Sequence, residues 1–300
     1  MKKYIYTACT LVLVATMAFT SFSGLPSGTD VWLFTYSFEA GKHSIVSGMN
    51  ISNNKGYDSQ PSFSENGSYM LWTSERENGQ TEIYRYDMTG KVSTRLTQTP
   101  VSEYSPTYMF GGKYISAVVV EKDSVQRLWK YNKASMSSKV ILPKVYGVGY
   151  HCWFDEKTVF VFQLTTPVTL VLCDTKSGAN KIVTSNIGRS MGIYKTPKRK
   201  ILLYTQADSE GKLWIKAADG NGIKDAEFTA IPCVEGSEDF TVDKRGFILM
   251  GIDCKLYSWK IGESTKWSLI ADVAGFSIKS ISRLAISPDG YHLAVVDNQE

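Results

Sequence analysis

The stretch QPSFSENGSYMLWTSERENGQTEIYRYDMTGKVSTRLT, residues 60–97, contains the pattern that decides the fold. A polar turn ending at Gly67 is followed by the apolar run YMLWTS at 69–74. A polar loop then leads to EIYRYD at 82–87, and a second turn leads to VSTRLT at 92–97. Short runs rich in Val, Ile, Tyr, Phe and Trp between Gly, Asn, Asp and Ser turns are typical of β-strands. The stretch therefore predicts one small sheet of short strands.

The same unit recurs along the chain, at intervals of 42–47 residues. Its first turn ends in succession at Gly67, Gly112, Lys157, Arg199, Gly246 and Gly290. The strands after these turns are apolar on both sides, as in VFVFQL at 159–164, which suits a sheet buried on both faces. Four short strands every 44 or so residues are typical of a β-propeller blade. A β-sandwich has no reason to repeat at a fixed phase, and a β-helix repeats at a much shorter period.

The two ends of the chain together make one more blade. Five repeats are complete, whereas the sixth has only two strands and ends with ISPDGYHLAVVDNQE at 286–300. The strands TDVWLFTYS at 29–37 and KHSIVSG at 42–48 fit its missing outer half. Pairing between the two ends would close the ring and remove its exposed strand edges. The sequence thus predicts an all-β, six-bladed propeller of four-stranded blades, with N- and C-terminal strands sharing one blade.

The repeat at 60–97 resembles that of the TolB-like periplasmic propeller family. The shared features are Pro61, an aromatic-Ser-x-x-Gly turn ending at Gly67, the pair Ile83–Tyr84, Asp87, Gly90 and the closing RLT. The resemblance implies a six-bladed propeller of the bacterial envelope that binds proteins. TolB carries a separate α/β domain before its propeller, whereas about six residues lie here between the predicted cleavage point and Asp30. We therefore expect the propeller without the N-terminal domain of TolB.

The first 23 residues are predicted to be a secretory signal peptide. Lys2 and Lys3 precede an apolar stretch, and Ser21 and Ser23 occupy the −3 and −1 positions if cleavage precedes Gly24. An uncleaved membrane anchor and a lipoprotein modified at Cys9 are the alternatives. Cleavage would leave residues 24–300 as one propeller domain, periplasmic or secreted, and not an integral membrane protein. It would lower the formal net charge from +4 by two, and this balance predicts no nucleic-acid partner.

No catalytic residue, metal site or cofactor is predicted. The sequence GRSMG at 188–192 matches a nucleophile elbow, but that motif requires a strand-to-helix turn and no helix is predicted to follow. The three histidines are scattered, whereas a metal site needs several converging ligands. The basic run KTPKRK at 195–200 is interpreted as a solvated turn, with contact to an anionic polymer as the alternative.

The loops that join neighbouring blades share one face of a propeller with the loops between second and third strands. Residues just before each innermost strand are predicted to ring the channel mouth on this face and to bind a ligand: Asp58, Tyr104, Tyr150, His151, Arg189, Glu238 and Arg283. Charged and aromatic side chains together suit a polypeptide or a glycan end. Four cysteines outside the signal peptide allow three pairings. Cys233 and Cys254, predicted to lie on this face in one blade, are the pair predicted to form a disulfide, and buried free thiols are the alternative.

Two functions are compatible with a propeller whose channel mouth carries charged and aromatic residues. The first is a non-enzymatic exported protein that recognises a protein or a cell-envelope component through this face. The alternative is a lyase or hydrolase that acts on glycans, with its site in the central channel.

Overall fold

The computed structural model describes residues 28–76 and 79–299 and contains 24 β-strands in six four-stranded sheets. The first two strands in the chain are β1 (Thr29–Glu39) and β2 (Lys42–Asn50). Blades 1 and 2 comprise β3 (Asp58–Phe63), β4 (Tyr69–Glu75), β5 (Thr81–Asp87), β6 (Val92–Arg95), β7 (Ser102–Tyr108), β8 (Tyr114–Val120), β9 (Gln126–Asn132) and β10 (Ser138–Val140). Blades 3 and 4 comprise β11 (Val148–Trp153), β12 (Thr158–Gln163), β13 (Thr169–Asp174), β14 (Asn180–Ser185), β15 (Ile187–Lys195), β16 (Lys200–Ala207), β17 (Leu213–Ala218) and β18 (Ile231–Pro232). Blade 5 and the start of blade 6 comprise β19 (Phe240–Val242), β20 (Phe247–Ile252), β21 (Lys255–Lys260), β22 (Ser268–Asp272), a 3₁₀ turn at Ala274–Phe276, β23 (Ile281–Ile286) and β24 (His292–Asn298).

Blade 6 is completed by the N-terminal strands, which confirms the predicted closure. Its strand order is β2-β1-β24-β23, and all three pairings are antiparallel. Thr29 lies opposite Asn298, and Thr35 lies opposite His292. The predicted six-bladed, all-β fold is therefore confirmed. The predicted signal peptide at 1–23 lies outside the described residues.

The hydrophobic core lies between neighbouring blades rather than within one layer. Phe34 and Tyr36 of blade 6, for example, pack with Leu249 and Leu256 of blade 5, and all four are fully buried. Because each middle strand faces a neighbour on both sides, both sides of the strand must be apolar, and this explains the unbroken runs in the sequence. Within the described residues no helix is long and apolar enough to cross a membrane.

The two faces of the ring carry different connections. The loop face has the links between blades and the second-to-third-strand loops, and every innermost strand begins there. The turn face has the first-to-second-strand turns, such as those at 64–68 and 109–113. Innermost strands β3, β7, β11, β15 and β23 each contain a register shift. Such bulges bend a strand and redirect its side chains, here around the channel.

Candidate functional site

The central channel encloses a cavity of about 130 Å³, lined by the innermost strands of all six blades. The lining residues on blades 3–6 include Tyr150, His151, Arg189, Asp239 and Arg283. Four of these were predicted from the sequence, namely Tyr150, His151, Arg189 and Arg283. They come together because each lies near the loop-face start of its innermost strand.

A side-chain bridge crosses the channel near the loop face. Arg283 of blade 6 donates a hydrogen bond of 2.7 Å to the hydroxyl of Tyr150 on blade 3, the blade opposite in the ring. Its guanidinium carbon lies 4.9 Å from the centre of the same ring, and its Nη1 lies 3.6 Å from Oδ2 of Asp239. The Arg283 side chain is only 11% exposed. The bridge therefore closes much of the channel with a polar, aromatic floor.

The charges at this floor are balanced within the protein. Burial disfavours the charged form of Arg283, but Tyr150 and Asp239 raise its pKa above the ordinary value. Burial raises the pKa of Asp239, while Arg283 and Arg189 act in the opposite direction. The cation and the carboxylate thus stabilise each other in a place where either alone would be costly.

A second pair extends the floor toward blade 4. The backbone amide of Arg189 donates to Oε1 of Glu238 at 2.7 Å, and the two side chains approach to 3.6 Å. Nη2 of Arg189 donates to the carbonyl of Ser282 on blade 6 at 3.2 Å. Glu238 was predicted at the channel mouth and stands there as the partner of Arg189. We define the channel mouth as Tyr150, Arg189, Glu238, Asp239 and Arg283.

His151 lies deeper and is 8% exposed. Its Nε2 is 2.7 Å from the hydroxyl of Ser116, which also accepts from the indole of Trp153 at 2.8 Å. Burial lowers the pKa of His151 to about 3, so the imidazole is neutral at physiological pH. Its Nδ1 has no hydrogen-bond partner among the described residues.

Three predicted site residues, Asp58, Tyr104 and Glu238, are not among the residues that line the cavity. Asp58 is fully buried, and it accepts hydrogen bonds of 2.9 Å from the indole of Trp72 and the amide of Asn54. Burial raises its pKa, which those donors and Arg76 counteract. Tyr104 is half-buried against the core between blades 2 and 3. Their predicted role in binding stays a prediction.

The sequence analysis missed Gln60, Ser105 and Asp239 in the channel lining. Gln60 and Ser105 have φ values of 61° and 51°, and Oε1 of Gln60 accepts from the Ser105 amide at 2.6 Å. Left-handed backbone at non-glycine residues has no clear sequence signature, so these positions could not have been identified. Asp239 follows Glu238 directly, and a rule that includes the next residue would have found it.

The remaining motifs have packing roles in this structure. Ser190 of GRSMG lies within β15, is 5% exposed, and accepts a hydrogen bond of 3.0 Å from the amide of Phe240 in the next blade. The four described cysteines are free thiols. Cys233 follows β18 of blade 4, whereas Cys254 lies in the β20–β21 turn of blade 5. The expectation that Cys233 and Cys254 share a blade was wrong, because blade 4 extends further along the chain than the repeat indicated. A disulfide between them stays a prediction. Among the described residues no group of three or more His, Cys, Asp or Glu side chains could hold a metal ion.

Comparison with known proteins identifies the fold. No family model and no curated protein matches the chain. A protein assigned as TolB from Agrobacterium tumefaciens is similar in structure, with a TM-score of 0.64 and 13% identity over 90% of this chain and 98% of that one. TolB from Acinetobacter baumannii is similar with a TM-score of 0.57 and 10% identity, over 90% of this chain and 64% of that one. A gluconolactonase from Xanthomonas campestris is similar with a TM-score of 0.61 and 8% identity, over 91% of this chain and 96% of that one. The chain therefore has the TolB-like six-bladed propeller fold, which binding proteins and enzymes share.

Proposed function

We propose that this TolB-like propeller is an exported, non-enzymatic binding protein that recognises a protein of the cell envelope through its loop face. The channel mouth would form the centre of the contact. The observation that carries this proposal is the Tyr150–Arg283 bridge, which crosses the channel and replaces an open pocket with a polar floor.

The size of the channel favours a macromolecular ligand. Sites for small molecules enclose roughly 300–1,000 Å³, whereas the channel cavity measures about 130 Å³. A glycan-cleaving enzyme with its site in the channel would need room for at least one sugar ring and its catalytic groups. A partner that rests on the floor needs no such room.

The composition of the mouth favours a polypeptide. Tyrosine and arginine are the residue types that most often dominate protein interfaces, and both are present at the centre. Arg189 and Arg283 are matched by Glu238 and Asp239, so the mouth offers no net positive charge to an anionic polymer. Paired charges with rigid aromatic neighbours can instead align with polar groups of a folded partner.

Export rests on the predicted signal peptide at 1–23, and it fits the similarity in fold to TolB structures. We accordingly place the mature protein in the periplasm or outside the cell. The partner is then a protein exposed in the envelope.

The proposal is tested by capture and by a channel-mouth variant. The purified protein is incubated with envelope extract, the proteins it retains are identified, and the dissociation constant of the most enriched one is measured. Arg283→Ala should weaken that binding by about tenfold or more, because it removes a buried arginine and the cation that lies 3.6 Å from Asp239. Tyr150→Phe, which keeps the ring and loses the hydroxyl, should give a smaller loss of affinity.

The matched control is Tyr291→Ala, which removes a tyrosine that is 58% exposed and lies in the β23–β24 turn, on the face opposite the channel mouth. It should leave the affinity unchanged. Equal affinity of wild type and Arg283→Ala would refute the proposed site. Turnover of a polysaccharide or a lactone by the wild type that the Arg283→Ala variant loses would establish the enzymatic alternative.

A further inference from the structure

The turn face of the propeller carries a larger concavity than the channel. This turn-face groove has a volume of about 770 Å³. Its lining comes from four blades: residues 61–66 with Tyr69, residues 107–112 with Lys133, residues 151–153, and Met191. It shares Pro61, Ser62, Thr107, His151 and Met191 with the channel cavity, so it forms the opposite opening of the same passage.

The wall of the groove is rich in large apolar side chains. Phe63, Met109, Phe110, Trp153 and Met191 all contribute to it. Phe110 is 39% exposed, which is unusual for phenylalanine in a tight turn. Exposed apolar surface in a concavity indicates a binding site, and methionine side chains adapt to ligands of irregular shape.

Glycines give the groove its open rim. Gly111 and Gly112 have φ values of 73° and 63°, and a Cβ added to either would meet nothing within 4 Å. The other first-to-second-strand turns, such as ENG at 65–67 and PDG at 288–290, place side chains at comparable positions. Because neither glycine has a side chain, the surface beside Phe110 stays accessible to a ligand.

Cations surround the groove without carboxylate partners. Lys133 lies 6.0 Å from the ring centre of Tyr108, and the Arg85 guanidinium lies 4.8 Å from that of Tyr69. Lys113, directly after the glycine turn, lies 5.5 Å from the ring centre of Tyr114. In the part of the chain that the structure describes, none of these three cations forms an ion pair.

The lining itself carries one cation, Lys133, and the guanidinium of Arg85 lies against the ring of Tyr69, which also lines the groove. Glu65 is the one carboxylate among its described lining residues. The hydroxyl of Tyr108 is buried and has no hydrogen-bond partner among the described residues. The groove thus has a small excess of positive charge, from Lys133 and Arg85 against Glu65, whereas the charges of the channel mouth are paired.

We propose that the turn-face groove docks an acidic peptide segment of a partner protein, with a large apolar side chain of that segment inserted between Phe110, Trp153 and Met191. Carboxylates flanking the inserted side chain would lie against Lys133, Lys113 and Arg85. A glycan fits less well, because sugars require many polar side chains aimed at their hydroxyls and this wall is mostly apolar. Complementary charge would speed the encounter and fix the register, and burial of the apolar anchor would supply affinity.

This site is separate from the one proposed at the channel mouth. The mouth residues lie near the loop-face starts of the innermost strands, whereas the groove opens on the turn face, where these strands end. The Tyr150–Arg283 bridge lies between them, so occupants of the two sites would enter from opposite sides. One molecule could therefore hold two partners at once, and either site can be tested without the other.

The test is a selection from a random library of 12-residue peptides on the immobilised protein, followed by fluorescence anisotropy with the enriched peptides. We expect the enriched peptides to combine Asp or Glu with Leu, Met, Phe or Trp, and their affinity to fall as the salt concentration rises. Phe110→Ala and Lys133→Glu should each weaken binding by about tenfold, since both residues are exposed contact residues of the groove.

Two loop-face variants serve as matched controls. Tyr146→Ala matches the aromatic truncation, and Lys122→Glu matches the charge reversal in the same blade on the opposite face. Neither should alter the affinity. The inference is overturned if no peptide is enriched, if the enriched peptides bind the Phe110→Ala and Lys133→Glu variants as tightly as the wild type, or if an oligogalacturonate binds at these residues and peptides do not.

Discussion

At the scale of single residues, two buried glutamates between blades 1 and 2 form a carboxyl pair. Glu82 is 3% and Glu103 is 0% exposed, and the two side chains interact closely enough for Glu82 to shift the pKa of Glu103. Two buried carboxyl groups that interact closely resist being ionised together, because like charges repel and burial disfavours each charge. Burial raises the pKa of Glu103 to about 8, and the neighbouring Glu82 raises it as well. At neutral pH we therefore expect the pair to share one proton.

This pair should make stability depend on pH. The folded protein keeps a proton on the pair up to about pH 8, whereas the unfolded chain releases it above its ordinary pKa of 4.5. The pair's contribution to stability is therefore fully present below pH 4.5 and is lost as the pH rises to about 8. Glu103→Gln keeps a neutral donor to Glu82 and removes the titration. Its melting temperature should vary less than that of wild type between roughly pH 5 and pH 9, and it should be the more stable protein at the upper end.

Glu121→Gln is the control for this experiment. A hydrogen bond from Arg127 lowers the pKa of Glu121, so its titration affects stability only at pH values below the range scanned. Its profile should run parallel to that of wild type. Parallel profiles for Glu103→Gln and wild type would show that both carboxyl groups are ionised in the folded state.

At the scale of elements, β15 shows how a bulge builds the channel mouth. Its pairing with β16 shifts register between Ile187 and Met191, and this shift directs Arg189 toward the channel. The bulge brings the backbone so close to its neighbours that a Cβ on Gly188 would lie 2.3 Å from Oγ1 of Thr205 and 2.8 Å from Oε1 of Glu238. The glycine is therefore required by close approach.

Gly188→Ala should disturb both stability and the mouth. The added methyl group must push the Glu238 carboxylate away from the Arg189 amide, and we expect a loss of about 1–3 kcal/mol in the free energy of unfolding. Urea denaturation measures this loss, and affinity for the loop-face partner should fall in parallel. Gly275→Ala, whose Cβ would meet nothing within 4 Å, should change neither quantity. A fully stable Gly188→Ala variant with normal binding would contradict this account.

Much of the element pattern could be predicted from the sequence. Runs such as YMLWTS and VFVFQL recur with turns at a fixed phase, so β4 and β12 begin within a residue of their predicted positions. Strand registers and bulges were not predictable, because they depend on contacts with the next blade. For this reason Asp58 and Tyr104 were expected at the mouth yet are not among the residues that line the cavity, and the position of Asp239 was missed.

At the scale of the whole molecule, one shared blade holds the ring closed. Strands β1 and β24 pair over seven residues from Thr29–Asn298 to Thr35–His292, and Phe34 and Val295 on them are fully buried. The period and the incomplete final repeat made this closure predictable. The turn-face groove was not predictable in the same way, because turns of two blades and strand residues of two more come together there.

Deletion of residues 286–300 should open the ring. It removes β24 and exposes the edges of β1 and β23, together with the apolar residues that pack on them. We expect an unfolded or self-associating product by size-exclusion chromatography and circular dichroism. Deletion of residues 299–300 alone keeps the Thr29–Asn298 pair and should leave a folded monomer. A folded, monomeric product of the longer deletion would contradict closure by strand pairing.

The pairing of Thr29 with Asn298 also sets how the molecule is presented when it is tethered. Both residues lie on the loop face, so a support attached through either end of the propeller, whether a resin or a lipid bilayer, stands on the side of the channel mouth. The turn-face groove would then face the solution, and the support would sterically block the channel mouth. The point of attachment therefore determines which opening a large partner can reach. A search for a loop-face partner should use the protein free in solution or attached through a turn of the opposite face.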